Sequence, residues 1–130
     1  MNVDLKQFRK DEDIPDSKYN TFEKNVRKTI INMLDKYDYE SNDLDSFVGA
    51  MQYTTYKHII QMNNELPDTT YKQQFNGIFA DYKNPESDRA ISSLSVLLGW
   101  SKSFKFNNDS INEDILMLSS KILAEKYSRD

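Results

Sequence analysis

Apolar residues recur every three or four positions through most of this chain, the spacing of one face of an α-helix. Phe22, Val26, Ile30, Met33 and Tyr37 form a first stripe, widened by Leu34. Asn20 and Glu23 stand as a capping box, so the pattern predicts a helix over about residues 20–38. A second stripe runs through Leu44, Val48, Met51, Thr55, Ile59, Met62 and Leu66. Ser41 or Asn42 starts it, Asp43 and Asp45 occupy its first turn, and Pro67 ends it. Asp68 is placed to cap a shorter helix carrying Tyr71, Phe75, Ile78, Phe79 and Tyr82. Ser110 with Glu113 reads as the capping box of a last helix bearing Ile111, Ile115, Leu118 and Ile122.

Between these lies the most apolar stretch. Ile91, Leu94, Leu98 and Ser101 share one helical face, with Leu97 and Phe104 beside them. Val96 and Trp100 make a second face. A helix apolar on two sides is usually buried on two sides. With Asn84 as a cap, Pro85 in the first position and Glu86 and Asp88 near the start, residues 85–105 are predicted as a central helix. Gly99 costs that helix about 1 kcal/mol relative to Ala, and reads as a site of close packing or a bend.

The fold class that follows is all-α: a single compact bundle of about five helices around a central apolar helix at residues 85–105. It occupies residues 20–130, behind an extended lead-in at residues 1–19. Three Gly and three Pro are few for the many turns of an all-β domain. A chain of 130 residues suits one domain, and short connections make neighbouring helices antiparallel.

Composition narrows the chemistry. Without Cys there is no disulfide and no thiolate metal site, which fits a reducing compartment. No apolar run approaches the roughly 18 residues that span a bilayer, and the N-terminus lacks the apolar core of a signal peptide. The expectation is a cytoplasmic protein with no membrane partner. The formal charge of −4 weighs against non-specific nucleic-acid binding.

Catalytic patterns are scarce. His58 is the single histidine, on the edge of the second stripe, where a core-edge role is the simpler reading. There is no G-x-S-x-G, no calcium loop and no Glu-x-x-His pair. Gly49, Gly77 and Gly99 are too far apart to cradle a phosphate. The pairs Asp43 with Asp45 and Glu113 with Asp114 fall at helix starts, where the helix dipole accounts for them. Asp11, Glu12, Asp13 and Asp16 read as a solvated acidic run. No enzyme activity, cofactor or metal is expected.

What stands out is the aromatic content, with eight Tyr and seven Phe in a small chain. Tyr53, Tyr56 and Ile60 lie off the main stripe of their helix, Tyr37 and Tyr39 at a helix end, and Trp100 off the central helix's main face. Aromatics with polar tips favour interfaces, so these six are the candidate partner-binding residues. A core wrapped around the second and central helices would bury the same rows. The function expected is a non-enzymatic protein–protein interaction module, a small inhibitor, immunity or anti-defence factor or adaptor that occludes a partner protein's surface. Residues 41–100 hold seven acids and four bases, which favours a basic partner. The alternative is a DNA-binding transcriptional regulator using Lys24, Arg27 and Lys28, a basic face interrupted by Glu23 and Asp35.

Overall fold

A computed structural model describes Lys10, residues 14–66 and residues 68–128. Residues 1–9 and 11–13 of the expected lead-in, and Pro67, lie outside the described residues. Five helices have bounds among the described residues: α1 (Asp16–Lys36), α2 (Leu44–Glu65), α3 (Tyr71–Asp81), α4 (Asp88–Ser101) and α5 (Asp109–Tyr127). They form an all-α bundle, with no strand among the described residues. Its core draws on all five helices, and Phe22, Ile30, Phe47, Met51, Phe75, Leu94 and Leu118 are wholly buried.

The helix over residues 20–38 begins earlier, at Asp16, directly after Pro15. No side chain caps it. Burial sets this start: Ile14 and Tyr19 extend the apolar stripe backwards, and the Tyr19 ring stacks on Tyr56 at 6.1 Å. Residues 16–19 therefore belong to the bundle, which corrects the boundary drawn at residue 20.

The other starts shift by a few residues toward side chains that reach the orphan amides. Asp43, rather than Ser41 or Asn42, caps α2 by accepting from the Ser46 amide at 3.1 Å. Thr70, rather than Asp68, caps α3 in a capping box with Gln73. Asn108 caps α5 through the Ile111 amide, so Ser110 and Glu113 make no box.

The central helix is shorter than residues 85–105. Ser87 caps it, accepting from the Ala90 amide, while Asn84 and Pro85 form the turn before it. The carbonyl of Pro85 is taken by the Asn32 amide at 2.9 Å. After Ser101 the chain turns, and Phe104 and Phe106 fold back onto Tyr53. Both α4 and α2 touch each of the other four helices, so the bundle has two inner helices. The second face of α4 is divided: Val96 is 71% exposed, whereas Trp100 is half-buried and packs against the core.

Candidate interaction surface

The residues singled out by sequence do not share a surface. Tyr56 is fully buried, so its placement as an interface residue is corrected to a core position. Its ring faces Tyr19 because α1 begins early enough to bring Tyr19 across α2. Tyr53, Ile60, Tyr37, Tyr39 and Trp100 are all half-buried.

Three of the candidates are held by neighbours. Tyr53 meets Phe104 and Phe106 edge-on, at 5.7 and 5.9 Å. Trp100 meets His58 at 5.1 Å and Phe104 at 5.4 Å. His58, Trp100, Phe104, Phe106 and Tyr53 thus form a continuous chain of edge-to-face rings, an arrangement that the ring quadrupoles favour. Burial pushes the His58 pKa below its ordinary 6.5, partly offset by Glu65. Tyr39 donates its hydroxyl to the Oδ1 of Asp114, a wholly buried carboxyl that Ser41 also contacts. Burial, then Asp114 itself, raise the Tyr39 pKa far above its ordinary 10. Sequence reading missed Asp114, whose place in the first turns of α5 was explained by the helix dipole.

On the basic face of α1, Lys24 and Lys28 are exposed, but Arg27 reaches across to Asp45 at 2.8 Å. Among the described residues no cluster of three metal-ligating side chains occurs, and no helix is long and apolar enough to cross a membrane.

The exposed apolar side chains gather elsewhere. Along α5, Leu116, Leu123 and Tyr127 follow a helical stripe and are 60%, 45% and 75% exposed. On α4, Val96 stands across from Leu123. The two helices run antiparallel, and the furrow between them opens into two grooves. One, of about 450 Å³, is lined by Tyr37, Ile91, Ser92, Val96, Ile122 and Leu123, with Lys36, Glu125 and Lys126 at its rim. The other, of about 380 Å³, lies toward the far end of α4 beside Ser101, Ile115 and Leu116, with Lys102 and Lys105. Ser95 also lines the first groove, and a Cβ added at Gly99, which lines neither, would meet nothing within 4 Å. Gly99 does not mark close internal packing; it lies on an open face of α4. Of the candidates from sequence, Tyr37 lies at this furrow.

The chain matches no known protein family. No curated protein is similar to it. No solved structure matches it.

Proposed function

We propose that the chain is a non-enzymatic protein-interaction module that presents its α4–α5 face to a partner. The observation that supports this reading is the row Val96, Leu116, Leu123 and Tyr127, large apolar side chains left in water beside two open grooves. Removing such side chains from water on contact with a partner is favourable by about 25 cal/mol per Å². Tyr37 adds an aromatic wall with a polar tip. The remaining aromatics serve the fold: their rings pack on one another across α2 and the α4–α5 connection. The module acts by covering part of a partner's surface, as an inhibitor or an adaptor does.

DNA binding through Lys24, Arg27 and Lys28 has less support. The Arg27 guanidinium is engaged by Asp45, and α3, the helix of suitable length for a groove, turns Phe75 into the core.

The test is affinity capture from host lysate with wild type, Val96→Glu/Leu123→Glu and Lys24→Glu/Lys28→Glu. A protein retained by wild type and by the lysine variant, but lost with the α4–α5 variant, supports the reading. Identical captures by all three overturn it.

A further inference from the structure

We infer that the occupant of the α4–α5 furrow is an acidic, amphipathic α-helix of a partner protein. This rests on the reading of that face as an interaction surface, and adds the secondary structure and the charge of what it takes.

Shape argues for a helix. Strand addition to a sheet edge has no counterpart here, because no strand occurs among the described residues. The furrow is a trough between two antiparallel helices, with the small residues Ser92 and Ser95 along its α4 wall. The α4 residues that line the two grooves run from Ile91 to Ser101, about 15 Å along the helix axis or about three helical turns. Apolar anchors at helical spacing on the incoming helix would lie between Val96 on one wall and Leu116 and Leu123 on the other.

Charge argues for acid. The chain as a whole is acidic, with a net charge of −4. The two grooves reverse that sign: Lys36, Lys102, Lys105 and Lys126 line them against one acid, Glu125. These lysines flank the apolar row at both ends, where carboxylates on an amphipathic helix's polar flanks would meet them. This sign differs from the basic partner expected from residues 41–100, because the face that offers apolar area is lined by lysines. A second copy of the chain is disfavoured by the same lysines, since a two-fold contact would bring each set against its own kind. A membrane surface is disfavoured by concavity, because a bilayer takes a convex or flat apolar face.

The test uses three synthetic peptides of about 16 residues, long enough to hold a helix when stapled. All carry the same leucine stripe; their polar flanks are acidic, neutral or basic. Binding to the full chain is read by fluorescence anisotropy, beside sedimentation of the chain alone and co-flotation with phosphatidylserine-rich vesicles. The acidic peptide is expected to bind about tenfold or more tighter than the basic one, with the gap narrowing at high salt. Val96→Glu/Leu123→Glu should abolish binding, and replacing the four lysines by Gln should remove the preference, with unchanged circular dichroism in both variants. Equal binding of all three peptides, lost in the Val96/Leu123 variant, overturns the acidic partner while leaving the interaction face standing. No binding, or binding insensitive to Val96 and Leu123, overturns both. Self-association or vesicle binding that depends on Val96, in place of peptide binding, names a different occupant and overturns the inference.

Discussion

Tyr39 donates a hydrogen bond of 2.5 Å to Asp114 across 75 residues of sequence. The pair fastens the α1–α2 connection to α5. Ser41 adds a second hydroxyl to the same carboxyl, and Lys121 of α5 reaches the carbonyl of Asp38 at 2.8 Å. Asp38 takes a left-handed backbone conformation, φ 51°, so that Tyr39 can return toward the bundle. Removing one partner leaves buried polar atoms without their bonds, which costs about 1–3 kcal/mol. Tyr39→Phe is expected to fall in that range, and Asp114→Ala to cost at least as much. Urea unfolding checks both, and a loss below about 0.5 kcal/mol for Tyr39→Phe would show that the bond contributes little.

His58 makes stability depend on pH in a definite direction. Its folded pKa lies below the ordinary 6.5 because burial disfavours the charged ring. The unfolded chain therefore takes up the proton first as pH falls. Stability is fully present above about 6.5 and declines as pH drops through the folded value. His58→Gln should lose less stability than wild type between about pH 7.5 and pH 5.5, a window above the ordinary carboxylate range. Parallel slopes in the two proteins would dispose of this assignment.

Gly99→Ala should stabilise the protein. Gly99 lies inside α4 on an exposed face, and the added methyl meets no neighbour. The expected gain is about 0.5–1 kcal/mol, from helix propensity and a less flexible unfolded chain. Thermal melts measure it.

Leu94 is wholly buried on the inner face of α4. Leu94→Ala should cost about 2–5 kcal/mol, by lost burial and a residual cavity. Val96→Glu, two residues on but in water, should change stability by less than about 0.5 kcal/mol. Denaturant midpoints for the two variants test whether the faces of α4 differ as described.

The helices were legible in the sequence wherever burial follows a single stripe. Phe22, Val26, Ile30 and Met33 all point inward, as do Ile111, Ile115 and Leu118. Helix ends were less legible, because several polar residues near each start can cap and the choice depends on long-range partners. Asn108 caps α5 while its own amide reaches Asp43 of α2 at 3.5 Å, a contact across 65 residues. Tyr56 lay off its helix's main stripe, yet α2 is covered on several sides, so a second row is buried as well. Val96 failed in the opposite sense: it is exposed beside an open groove, while Trp100 of the same expected face is half-buried against His58. Asp114 was hidden because a buried carboxyl and a dipole-stabilising one occupy the same place in a helix. Its partners, Tyr39 and Ser41, come from a distant turn. The exposure of Leu116, Leu123 and Tyr127 was not legible, because they lie on the same helix beside the buried stripe of Ile111, Ile115 and Leu118.

Helix α3 contributes a single fully buried side chain of its own, Phe75, which meets the Phe22 ring at 5.0 Å. It is also the shortest of the five helices. The bundle is therefore not uniformly held, and its opening events are graded. The free energy to lift α3 away is a fraction of that needed to part α2 from α4. Its amides should exchange with solvent through this partial opening, well before those of the two inner helices. Each such event briefly uncovers Phe22 and Tyr82, so local unfolding, and proteolysis that follows it, has its natural entry at α3.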